Sequence, residues 1–108
     1  LEFKQNIEKI YEGARKIAEE VYFLGLTPVD EEKTSPLPWA LELALKNDLV
    51  KQFDGIIKNI CQDNDIPFID VFSDWLSKDY KIWLDDGNHP NAGGHQKIFE
   101  LVKNKLGL

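Results

Sequence analysis

Cysteine, concentrated positive charge and long apolar runs are what this sequence has least of. Cys61 is the only cysteine. That excludes an internal disulfide, and the expected role is a small buried side chain near a helix end. The 13 lysines and arginines are outnumbered by 19 aspartates and glutamates, giving a net charge of −6. The cations are interleaved with the acids, so there is no basic stripe. Nucleic acid is not an expected partner, because phosphate binding is driven by clustered Lys and Arg. No apolar stretch approaches the ~20 residues of a membrane span, and no signal-peptide pattern opens the chain. Repeats and low-complexity tracts are absent. Nor is a nucleophile apparent. Ser35, Ser73 and Ser77 lie in "KTSPLP", "VFSDW" and "WLSKD", none of them a Gly-x-Ser-x-Gly strand–turn–helix context. Cys61 falls inside a helical pattern, far from any obvious base.

What remains is the composition of an ordinary globule, 43% hydrophobic and 30% charged over 108 residues. That length fits one domain, which buries about two-thirds of its unfolded surface if it packs alone. Phe3, Ile7, Ile10, Ala14, Ile17 and Ala18 fall three and four apart and predict an amphipathic helix over 3–20. "VYFLGLTP", residues 21–28, is a continuous apolar run ending in Thr-Pro and predicts a strand covered on both faces. A charged, proline-rich loop, "VDEEKTSPLP", follows. Helical spacing returns from Trp39 to Cys61, in one or two pieces. Asn47 or Asp48 is a suitable cap for the second, with Leu49, Phe53, Ile56, Ile57 and Ile60 as its apolar face. "IPFIDVF" reads as a second strand, with Pro67 at its start, where proline is tolerated. Residues 73–84 are irregular and aromatic. A last helix begins at Asn91 or Ala92 and buries Ile98, Leu101, Val102 and Leu106.

The order is helix, strand, helix, strand, helix, a βαβ crossover with flanking helices in an α/β fold. Two parallel strands make a poor free-standing sheet, because such strands want neighbours and helices on both faces. The chain reads as half of a doubly wound domain, its remaining strands expected from another polypeptide or from self-association through the sheet edge.

The densest chemistry lies in "DDGNHPNAGGH", residues 85–95, which holds both histidines of the chain, two aspartates and three glycines. In an open α/β sheet, ligands bind beyond the carboxyl ends of the strands, and this segment follows the second strand. Three residues apart on a turn entering a helix, Asp86 can reach one ring nitrogen of His89. Such a bond fixes the tautomer, stabilises an imidazolium and leaves the other nitrogen free as a general base. The competing reading is a solvated helix-capping loop, with Asn91 as the cap.

"DGNHPNAGGH" resembles the last sequence block of the SGNH, or GDSL-type, hydrolases, which are esterases and lipases. In that family an Asp-x-x-His-Pro block holds the catalytic aspartate and histidine just before the C-terminal helix. Asp86 and His89 fill those positions, and Pro90, Asn91, Ala92 and Gly94 continue the match. The resemblance implies a partial flavodoxin-like three-layer α/β/α fold, with "VYFLGLTP" as the fourth strand and "IPFIDVF" as the fifth. It implies acyl-ester hydrolysis by a Ser-His-Asp triad, with a small-molecule acyl ester as substrate and no cofactor. The family's Gly-Asp-Ser nucleophile block and the glycine and asparagine of its oxyanion hole have no counterpart in residues 1–108. By the resemblance these residues are the C-terminal portion of a single domain, expected to be inactive without the N-terminal portion.

By the same resemblance His95 packs or caps on the first turn of the last helix, and Asp85 is a solvent-facing neighbour. "TSPLPW" can form a lid or acyl-pocket wall, which makes Pro36 and Trp39 candidate substrate-binding residues. Trp83 and Leu84 are candidates of the same kind, with core packing as their alternative. Two rival functions stand beside the hydrolase. One is a metal-binding module using Asp85 or Asp86 with His89 and His95, whose spacing fits no common zinc signature. The other is a non-catalytic interaction domain recruiting a partner at its sheet edge.

Overall fold

The computed structural model describes residues 2–108. The elements, in order, are α1 (Glu2–Arg15), β1 (Phe23–Leu24), α2 (Glu31–Thr34), α3 (Asn47–Asp63), β2 (Phe68–Ile69), α4 (Val71–Leu76), a 3-10 turn (Tyr80–Trp83) and α5 (Ala92–Leu106). β1 and β2 pair in parallel, Phe23 opposite Phe68 and Leu24 opposite Ile69. The α/β order expected from the sequence is present, with both strands in one two-stranded parallel sheet.

Both strands and the first helix are shorter than the periodicity predicts. α1 stops at Arg15 rather than residue 20. Its apolar stripe is used by Phe3, which meets Phe53 edge-on at 4.6 Å, and by Ile7 and Tyr11, which cover Ile57, Cys61 and Ile66. Ile17, 89% exposed, finds no surface to pack on, and the chain leaves the helix. β1 ends at Leu24, and Tyr22 and Leu24 are exposed, so one face of this strand is uncovered. Residues 26–30 do not continue the ladder. They form an extended strap held by side chains: the Leu26 N–H donates to Asp54 Oδ1 at 2.8 Å and the Val29 N–H to Asn47 Oδ1 at 2.8 Å.

That second bond explains a further departure. Helix α3 is a single piece, residues 39–46 being loop, and the residue ahead of it is Lys46, which makes no side-chain cap. Asn47 is the first helical residue, and its amide is turned to the strap instead. The buried face of α3 is Val50, Asp54, Ile57, Ile60 and Cys61, with Leu49 left exposed. Residues 73–84, expected to be irregular, are largely ordered. Asp70 caps α4, its Oδ1 accepting from the Ser73 N–H at 3.0 Å, and the 3-10 turn follows. Asn91 caps α5 as expected, accepting from the Gly94 N–H at 3.0 Å. Ile98 and Leu101 pack on a core of Val71, Trp75, Tyr80 and Leu84, whereas Leu106 lies at the exposed end.

α5 sits close to the 3-10 turn because Gly94 has no side chain. A Cβ there would collide with the Trp83 carbonyl oxygen and touch Pro90 Cβ at 3.0 Å. Gly13 of α1, by contrast, has nothing among the described residues within 4 Å of the equivalent position. Gly94→Ala should therefore destabilise the fold by about 1–3 kcal/mol through overpacking. Gly13→Ala should stabilise it by about 0.5–1 kcal/mol through helix propensity alone. Urea unfolding of both variants checks this, and a Gly94→Ala chain as stable as the parent would contradict the packing described.

Candidate active site

Residues 84–91 form a closed turn at the head of α5. Leu84 and Pro90 pair across it, the Asp85 N–H donates to the His89 carbonyl at 2.7 Å, and the Asn91 N–H to the Trp83 carbonyl at 2.9 Å. Gly87 takes φ = 89°, a left-handed conformation that glycine adopts without strain. A Cβ at Gly87 would also lie 2.6 Å from Lys33 Cβ and 3.3 Å from the Asp30 carbonyl oxygen. The turn thus rests directly on α2 and the end of the strap, where the Asp30 N–H donates to the Gly87 carbonyl at 2.9 Å.

Within this turn Asp86 receives three hydrogen bonds. Its Oδ1 accepts from the N–H groups of Asn88, at 2.9 Å, and His89, at 2.7 Å. Its Oδ2 lies 2.7 Å from His89 Nδ1. The His89 backbone N–H, the His89 ring and the Asn88 N–H, in that order of weight, hold the Asp86 carboxyl well below the usual carboxylate range. An ionised Asp86 is an acceptor only, so the bonded Nδ1 carries the proton and neutral His89 is the tautomer with a basic Nε2. Nε2 has no protein partner among the described residues, and the His89 side chain is 67% exposed. The arrangement is a carboxylate-oriented imidazole presenting a free base nitrogen at the surface. It can accept a proton from a hydroxyl brought to it.

The sequence-derived candidates divide into two groups. Asp86, His89 and Trp39 come together, the Trp39 ring centroid lying 6.4 Å from that of His89. Trp39 is exposed in a loop that also carries Pro36, and the loop's ends are fastened at Thr34 and Leu45 by the Leu45 N–H to Thr34 carbonyl bond. Trp83 and Leu84 are packed elsewhere. Leu84 is buried in the core with Val71, Trp75 and Tyr80. Trp83 stacks edge-on against Trp75 at 5.1 Å beneath the Lys97 ammonium. For these two side chains the structure favours the core-packing alternative. Asp85 is exposed. His95 is exposed too, and its expected packing or capping role gives way because Asn91 supplies the cap. Ser35 ends α2, Ser73 lies in α4 and Ser77 ends α4. None of them hydrogen-bonds to His89 among the described residues. No group of three or more His, Cys, Asp or Glu side chains among the described residues is arranged to hold a metal ion.

Nothing in the sequence pattern marks Asp54 or Tyr80 as part of the site, and Asn47 stands out there only as a helix-cap candidate. Asp54 is 6% exposed, and burial pushes its carboxyl up despite the bond from the Leu26 N–H. Asp54 falls on the apolar face of α3, four residues after Val50 and three before Ile57. Asn47 resembled a helix cap and so concealed its tertiary role.

The sequence model of the GDSL-like lipase/acylhydrolase family matches residues 1–97. The chain belongs to the GDSL-like lipase/acylhydrolase family. The GDSL esterase/lipase CPRD49 of Arabidopsis thaliana is 29% identical over 112 residues, covering 94% of this chain and 44% of that protein. Two crystal structures share the SGNH α/β fold at a TM-score of 0.74, each over 94% of this chain. One is a putative acylhydrolase from Bacteroides fragilis, 22% identical with 48% of its chain covered. The other is a GDSL-like lipase from Bacteroides thetaiotaomicron, 21% identical with 49% covered. The chain thus spans about half the length of these family members.

The Asp86 cluster should make an acid-sensitive contribution to folding. Its carboxyl is lower in the folded chain than its ordinary value of 3.8. The contribution is therefore complete above that value and declines as pH falls below it. Denaturant unfolding between pH 5 and pH 2 should show a steeper loss for the parent than for Asp86→Asn. Parallel pH profiles would show that the three hydrogen bonds do not hold the carboxylate in solution.

Proposed function

We propose that this chain supplies the acid–base half of a Ser-His-Asp triad for acyl-ester hydrolysis. The observation that carries the reading is the 2.7 Å bond between Asp86 Oδ2 and His89 Nδ1, which leaves Nε2 free beside Trp39. His89 Nε2 takes the proton of a serine hydroxyl as that oxygen attacks the acyl carbonyl. It then delivers the proton to the departing alcohol, and water repeats the sequence on the acyl-enzyme. Asp86 keeps the ring in the correct tautomer and stabilises the imidazolium formed at each transfer. The nucleophile and the oxyanion donors come from a segment outside residues 1–108. This accords with the family relatives, of whose length the chain covers about half. Trp39 and Pro36 form the apolar wall against which the acyl ester lies.

The partner of this chain is the remaining, N-terminal portion of the fold. Among the described residues β1 has β2 on one side only, and a hollow of about 330 Å³ opens at its carboxyl end, lined by Phe3, Leu26, Leu49, Val50 and Phe53 with Asn88 of the catalytic turn. A sheet edge and an apolar hollow next to the site give the N-terminal portion a seat that delivers its serine toward His89. In its absence, self-association through the same edge is the alternative.

In the native polypeptide as the gene encodes it, Asp86→Asn should lower kcat for a nitrophenyl ester by about 10³- to 10⁴-fold. KM should stay close to that of the parent. His89→Ala should be at least as damaging, and the double variant no worse than His89→Ala, because the pair acts as one unit. Residues 1–108 alone should give no turnover above background. Retention of a tenth or more of kcat by either single variant would refute the assignment.

A further inference from the structure

We infer that Tyr80 and Asn47 are positioning residues for the Asp86–His89 pair, acting through a relay of two peptide groups that ends on the Asp86 carboxylate. The inference rests on the catalytic reading of that pair. It begins at Val29, which is 1% exposed in the strap after β1. The Val29 carbonyl accepts from the Tyr80 hydroxyl at 2.8 Å and from Asn47 Nδ2 at 3.0 Å. Asn47 Nδ2 also donates to the Tyr80 hydroxyl at 3.2 Å, and Asn47 Oδ1 holds the Val29 N–H. Both lone pairs of the Val29 carbonyl are thereby engaged.

The Val29 carbonyl and the Asp30 N–H belong to one planar peptide unit, so fixing the first aims the second. The Asp30 N–H donates to the Gly87 carbonyl. That carbonyl in turn shares a peptide plane with the Asn88 N–H, which donates to Asp86 Oδ1. The donors all point the same way, from the Tyr80 hydroxyl through two peptide units to the carboxylate whose other oxygen orients His89. Aligned hydrogen bonds in a low-dielectric setting polarise one another. The relay therefore sets both the position of the turn and the strength of its last donor.

A buried phenol needs only some acceptor, and a bond to Val29 can serve stability alone. What separates the two roles is whether the effect reaches Asn88 and the chemical step. In the native polypeptide, Tyr80→Phe keeps the ring and removes the hydroxyl. It should lower kcat about three- to tenfold, the scale of one hydrogen bond, with KM within about twofold of the parent. The amide proton resonances of Asp30 and Asn88 should move upfield as their bonds lengthen. Asn47→Asp keeps the acceptor for the Val29 N–H but loses the donor to its carbonyl, and it should act in the same direction. Ile60→Val, in the α3 core, provides a variant of comparable thermal destabilisation. It should leave kcat and both amide resonances unchanged. If Tyr80→Phe and Asn47→Asp leave the Asn88 resonance in place, or lower kcat no more than Ile60→Val does, the relay is refuted. If the amide resonances move while Asp86→Asn and His89→Ala leave activity intact, the relay stands and the catalytic reading falls.

Discussion

The hydrogen bond from the Asp30 N–H to the Gly87 carbonyl, 2.9 Å long, joins the two parts of this chain on which the candidate site depends. On one side is the strap that leaves β1, buried at Pro28 and Val29 and tied to α3 by Asp54 and Asn47. On the other is the turn that presents Asp86 and His89. Without it, that turn would be a surface excursion closed only by its own Leu84–Pro90 bridge. With it, an exposed imidazole is held on a buried frame. Gly87 permits the approach, since any side chain there would meet Lys33 and the Asp30 carbonyl. The close seating of α5 on the 3-10 turn at Gly94 fixes the other end.

Exposure and rigidity are reconciled in this way. In the proposed role His89 must be reachable, and its side chain is two-thirds exposed. Its orientation nevertheless cannot be left to solvent, because a proton transfer requires a defined nitrogen in a defined place. Asp86 supplies that definition through one oxygen while the other gathers two backbone N–H groups. The carboxylate is thus anchored by the turn itself and does not rely on burial. Ion pairing at so open a site would otherwise be weak.

The parts legible in the sequence were those governed by local chemistry. Asp86 and His89 stand three apart in a turn bounded by Pro90 and the helix cap Asn91, and both the pairing and the cap are present. The element order followed from periodicity. The extents of the elements did not. α1 ends where its stripe runs out of partner surface, a tertiary fact that Ile17 and Ala18 could not reveal. β1 is cut to two residues because the strap's N–H groups are taken by Asp54 and Asn47, side chains 28 and 18 residues away. Trp83 and Leu84 flank the turn in sequence, yet the 3-10 segment rotates them into the α4–α5 packing. Trp39, 50 residues from His89, instead stands beside the imidazole.

The proposed role of His89 is to serve a serine. The most direct measurement is the crystal structure of the native polypeptide after reaction with an organophosphonate that labels catalytic serines. The expected result is a single phosphonylated serine from outside residues 1–108, its Oγ within about 3 Å of His89 Nε2 and Asp86 still bound to Nδ1. A labelled serine remote from His89, or an inhibited enzyme with His89 unengaged, would contradict it.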